Sequence, residues 1–166
     1  MKVEIKPKYF PLIQKPMMCC VTCLQMILFR HGYKYTQDYI AKGIGKYPRY
    51  KTVESADKIN SFFEKEKLPF KVEAFKISQI KDPKEFIINN LKKSNDVWAE
   101  SCNKPLHNSE SGHDILIQSI KDTTLTVVDP LGRRDQIYTV TLKKLTDAMD
   151  KKHDGRERGF MVVDKK

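Results

Sequence analysis

Three of the four cysteines crowd into one apolar stretch, Met18-Cys19-Cys20-Val21-Thr22-Cys23-Leu24-Gln25-Met26-Ile27-Leu28-Phe29-Arg30-His31-Gly32. A cysteine reacts as its thiolate, and a helix N-terminus lowers the thiol pKa. Cys19 stands at such an end. The thiol then needs an imidazole to take its proton and a carboxylate or amide to orient the imidazole. His113 and Asp129 have the right types and spacing. His113 opens an apolar run, 115–120, and Asp129 ends a second one, 125–128. With a turn centred near 121, the two are equidistant from it and face each other across a hairpin, Cβ atoms roughly 5 Å apart. A bulge would shift that register. Cys20 competes for the same helix end. Cys23 reads as core. Cys102 and His107 lie in a polar loop, lining a cleft or serving only the loop. Zinc held by Cys19, Cys20, Cys23 and His31 is the chemical rival, but adjacent cysteines rarely ligate together and no second cysteine pair follows. His31 fits better as the cation at a helix C-terminus, and His153 as a surface loop residue.

The elements that must position these residues follow from the pattern. Residues 2–13 are an extended lead-in broken by Pro7 and Pro11. From Cys19 to Arg30 the chain is apolar on nearly every side, as in a helix buried at the centre of a domain, and Gly32 stops it. Thr36 caps a short helix ended by Gly43, Gly45 and Pro48. Val53, Ala56, Ile59, Phe62 and Phe63 stripe a helix over 52–66. Residues 71–77 alternate as a strand. Asp82-Pro83 starts a helix over 83–93, and 96–101 is a strand. The hairpin 113–120/125–128 follows the polar loop 102–112. Residues 136–140 form a further strand, 143–149 a short helix, and 160–163 the last strand. Helices mostly first and hairpin strands after them indicate an α+β domain with a mostly antiparallel sheet.

The 166 residues suit one domain, 1–166, with a single core. Lys and Arg number 31 against 21 Asp and Glu, a net charge of +10. The lysines are spread along the chain and no basic run is interleaved with aromatics, so nucleic acid is not the expected partner. The N-terminus is charged where a signal peptide needs its apolar core, and the run from Met17 to Phe29 falls short of the roughly 20 residues that span a bilayer. A cytoplasmic protein with reduced cysteines is expected.

Cys19, Leu24, Met26, Leu28 and Gly32, together with Gly112-His113-Asp114-Ile115-Leu116-Ile117 and Val127-Val128-Asp129-Pro130, carry a resemblance. The chain resembles the bacteriocin-processing (double-glycine leader) peptidases and their stand-alone relatives, a papain-like cysteine peptidase family. That pattern is a Gln, a few residues, Cys-Gly-Pro-Ala-x-Leu-x-Met-x-Leu and a closing Gly. A His opening a strand follows, then an Asp-Pro about sixteen residues on. Here Cys20-Val21-Thr22 replaces Gly-Pro-Ala. The resemblance implies a papain-like fold with an N-terminal central helix packed on the sheet, a peptide or protein substrate, and no cofactor. It also implies Cys19 as nucleophile, His113 as general base, Asp129 as its orienter and Gln14 as oxyanion donor with the Cys19 backbone N–H. Counting from Gln14 alone would equally allow Cys20; counting from the helix behind it favours Cys19. Two other outcomes use the same residues. One is an inactive peptidase-fold binding module; the other is an acyltransferase or deamidase.

Overall fold

In the computed structural model the described residues are 1–45, 52–107, 112–132 and 135–166, without the side chains of 52–55. The strands are β1 Lys2–Glu4, β2 Phe70–Lys76, β3 Asp96–Cys102, β4 Gly112–Lys121, β5 Thr124–Val128, β6 Ile137–Thr141 and β7 Gly159–Lys165. The helices are α1 Cys19–Arg30, α2 Gln37–Ile44, α3 Thr52–Lys65, α4 Pro83–Lys92, α5 Lys104–His107 and α6 Leu142–Asp147. The strands form one sheet in the order β2-β7-β3-β4-β5-β6, with β1 also on β4. All these pairings are antiparallel.

The centre of the sheet is covered on both faces, since every residue of β3 is buried and only the two ends of β4 are exposed. Helix α1 packs on β4, and α4 on β1 and β3. Leu24, Met26, Ile27 and Leu28 of α1 have no exposed surface. Truncating one of them would cost about 2–5 kcal/mol, because a centre this closely packed cannot collapse around the void. Gly32 ends α1 with φ +88°, a conformation that side-chain-bearing residues avoid.

The local signals place most elements where the sequence puts them. Thr36 Oγ1 accepts from the Tyr39 N–H at 3.2 Å, and Asp82 Oδ1 from the Glu85 N–H at 3.0 Å. Three features differ. Helix α2 continues through Gly43 to Ile44. A Cβ on Gly43 would run into the Phe62 ring, so here glycine permits close packing of α3 rather than ending the helix. Gly45, at φ +88°, makes the stop; Pro48 lies outside the described residues. The polar loop after β3 begins with a single helical turn, α5. The last strand, β7, is inserted between β2 and β3, a position that its apolar composition does not specify.

The hairpin register also differs from the symmetric expectation. The turn is at Asp122-Thr123, with Lys121 paired to Thr124. Ser119 pairs with Thr126 but Ile117 with Val127, so Gln118 is an extra residue in β4. The bulge lies where the partner of β4 changes from β3, ending at Val97↔Ile117, to β1, beginning at Glu4↔Ser119. The Ile5 N–H donates to the Gln118 carbonyl at 2.9 Å. Continued one step beyond Leu116↔Val128, the register sets 129 opposite 115, and 113 becomes its diagonal neighbour on the same face. Without the extra residue the count would put 113 and 129 on opposite faces.

Candidate active site

Three segments build the site: the start of α1, the β4–β5 hairpin and the turn after β5. A tight turn delivers the chain to α1. The Met18 N–H donates to the Lys15 carbonyl at 3.0 Å, with Pro16 and a left-handed Met17 (φ +61°) between them. Cys19 is then the first helical residue. It is partly exposed, whereas Cys20 retains 7%, Cys102 1% and Cys23 none of its surface. All four cysteines are free. Of the two cysteines at the helix start, Cys19 is thus the more exposed.

His113 and Asp129 meet directly, Nε2 to Oδ1 at 2.7 Å, and both are buried. The Asp129 carboxylate also receives the Leu131 N–H at 2.8 Å and the Tyr138 hydroxyl at 2.8 Å. Together with His113 these donors fix its orientation, and through it the imidazole. Burial, with Asp129 beside it, raises the Tyr138 phenol far above its ordinary range, so it stays a donor. Gln136 latches this turn to the lead-in, donating to the Leu12 carbonyl at 2.7 Å. The Gln14 N–H donates to the Pro130 carbonyl at 2.8 Å, and the Gln14 side-chain oxygen is buried with no hydrogen-bond partner among the described residues.

The thiol goes elsewhere. Cys19 Sγ donates to Asp114 Oδ2 at 3.3 Å, one residue along the strand from His113. Asp114 Oδ1 accepts the Trp98 indole N–H at 2.7 Å. The lowered thiol pKa expected at a helix start is therefore reversed. Burial and the adjacent Asp114 charge push the Cys19 thiol well above its ordinary range, and the backbone N–H groups of Asp114 and Cys20 pull the other way too weakly to prevent it. Burial also raises the Asp114 carboxyl, opposed by the Trp98 N–H and by His113, Cys19 and Arg158.

Asp114 and Tyr138 did not emerge from the sequence as site residues. Each had a signal: an acidic side chain interrupting an apolar strand, and a tyrosine whose pairing with Val127 puts it on the face of Asp129. The zinc grouping is not assembled. His31 Nε2 lies 2.9 Å from Asp96 at the far end of α1, and among the described residues no three His, Cys, Asp or Glu converge on one point. Cys102 is buried at the end of β3, and His153 Nε2 contacts the Asp147 carbonyl at 2.8 Å. A cleft of about 1040 Å³ opens beside Asp129, lined by Leu106, Leu131, Gly132, Asp135, Tyr138 and Lys144 among others. No helix among the described residues is long and apolar enough to cross a membrane.

A family model described as the Peptidase_C39 like family matches residues 7–152. No curated protein matches the chain in sequence. The solved structures that share its fold include the following three. A protein described as a C39-like peptidase from Bacillus anthracis superposes with a TM-score of 0.69 at 14% identity, over 100% of this chain and 98% of that one. The peptidase domain of Streptococcus ComA, a bifunctional ABC transporter, gives 0.64 at 14%, over 94% and 96%. A double glycine motif protease from an AMS/PCAT transporter, in complex with the leader peptide, gives 0.57 at 8%, over 98% and 96%.

Proposed function

This chain belongs to the Peptidase_C39 like family and is a papain-like cysteine peptidase, and we propose that it cleaves peptide bonds with Cys19 as nucleophile, His113 as base and Asp129 as the orienter of His113. The carrying observation is the 2.7 Å His113–Asp129 pair, placed one strand residue from the group that holds the Cys19 thiol. With Nε2 turned to Asp129, Nδ1 is the ring nitrogen that serves sulfur. His113 Nδ1 takes the thiol proton as Sγ bonds to the carbonyl carbon. The oxyanion receives the Cys19 backbone N–H and the Gln14 side-chain amide. His113 then protonates the departing amine, leaving a thioester. Water, deprotonated by His113, attacks the thioester, and the thiol leaves.

The substrate is a peptide that approaches through the cleft beside Asp129, by likeness to the neighbour bound to a leader peptide. Four free cysteines suit a reducing cytoplasm. The test is digestion of a defined peptide mixture, read by mass spectrometry. Wild type and Cys20→Ala should release the same fragments, and Cys19→Ala none. Cleavage by Cys19→Ala at the wild-type rate overturns the assignment. Peptide capture without cleavage by the wild type replaces it with a binding module.

A further inference from the structure

Asp114 is a buried ionisable group that the mechanism above does not use. It touches the proposed nucleophile, Oδ2 to Sγ at 3.3 Å. Its surroundings are mixed. From α1 it faces Cys19, Cys20 and Cys23. From β3 it faces the Trp98 N–H and Glu100, its directly opposite partner in the ladder. His113 precedes it on its own strand. From the segment leading into β7 comes Arg158, which favours its charge. Arg158 is itself held by Asp154 at 2.6 and 2.8 Å and lies 3.6 Å from Glu100, so its charge is already shared.

We propose that Asp114 is a positioning residue that restrains Cys19: as a carboxylate it keeps the proton on sulfur and Sγ away from His113, and once protonated it donates to the thiolate instead. The proposal deepens the assignment of Cys19 as nucleophile and His113 as base, and rests on it. A thiolate beside an ionised Asp114 would set two negative charges about 3.3 Å apart in a buried site, and charge repulsion is strong there. The thiol form is therefore retained while Asp114 is ionised. With Asp114 protonated, the thiolate accepts its O–H, and the other proton resides on His113. Raising the pH through the Asp114 titration turns the restraint on; lowering it turns the restraint off. The free enzyme is thus held in reserve on the alkaline side and released on the acid side.

Iodoacetamide alkylation needs no substrate and reads thiolate directly. Wild type, Asp114→Asn and Asp114→Ala are labelled between about pH 5 and pH 8, with each cysteine quantified by peptide mapping. Thermal unfolding checks that the variants fold, and Asp114→Ala gives the same comparison if Asp114→Asn does not. At about pH 8 both variants should label Cys19 on the order of tenfold faster than wild type, the gap closing as pH falls through the Asp114 titration. A purely structural Asp114 would not move this profile. Equal Cys19 rates at the upper pH overturn the restraint and leave the nucleophile assignment standing. Loss of Cys19 labelling in Asp114→Asn overturns it by making Asp114 a base. Wild-type label falling on Cys20, Cys23 or Cys102 removes the nucleophile assignment and the restraint with it.

Discussion

The two ends of α1 each meet a buried carboxylate from the sheet, and they treat it oppositely. At the C-terminal end Asp96 receives Arg30 Nε at 2.8 Å, His31 Nε2 at 2.9 Å and the Tyr9 hydroxyl at 2.8 Å. Arg30 also donates to the carbonyls of Lys6 and Ser94. The Arg30 guanidinium suits both Asp96 and the negative end of the helix dipole. At the N-terminal end Asp114 has direct hydrogen bonds from an indole N–H and a thiol. There the helix dipole favours a thiolate while the carboxylate opposes it. One end fixes the helix to β3 and the lead-in through matched charges. The other holds a carboxylate on neutral donors, so a single proton alters the balance. Matched charges give rigidity; incomplete matching gives reactivity that can be adjusted.

The largest expected effect tests the reactive end. His113→Ala should lower kcat/KM by about 10²–10⁴-fold, the usual contribution of a general acid–base, with little change in the unfolding temperature. Parallel loss of activity and stability would show that the N-terminal end is also structural. Next, Asp96→Ala should cost about 3–5 kcal/mol by leaving Arg30 buried without its main partner. Calorimetry should record a fall of about 6–20 °C, while the fraction still folded keeps wild-type kcat. A drop in kcat equal to that of His113→Ala would erase the distinction between the ends. Tyr138→Phe removes one of the donors to Asp129. It should cost about 1 kcal/mol in transition-state stabilisation, or roughly fivefold in kcat/KM. No change would mean that the remaining partners of Asp129 suffice.

The smallest effect concerns stability against pH. The folded-state pKa of Asp114 is raised above its ordinary 3.8, so the native chain binds this proton more tightly than the unfolded chain. Its contribution is fully present below 3.8 and is lost as pH rises through the raised value. Chemical denaturation of Asp114→Asn across this range should give a flatter stability profile than wild type. An identical slope would place the Asp114 proton equally in both states.

The sequence made the central helix and the hairpin legible because both rest on local patterns, an apolar run closed by Gly32 and two apolar strands around Asp122-Thr123. The His113–Asp129 contact was anticipated, but by a register that the structure replaces. A bulge depends on which strand lies alongside, here the change from β3 to β1, and that is a property of the assembled sheet. The same holds for β7, whose apolar run could sit in any central position. A helix start alone points to a lowered Cys19 pKa; the carboxylate that β4 brings to it across 95 positions of sequence opposes this.

The extra residue at Gln118 makes the site sensitive to odd and even counting. Within β4 and β5, gaining or losing one residue between 113 and 129 would exchange which of His113 and Asp114 is offered to Asp129. Gaining or losing one residue in each strand would keep the pairing. Length variation among related chains should therefore be even-numbered inside these strands and unrestricted in the 102–112 connection. An odd change inside the strands would survive only with a second bulge to cancel it.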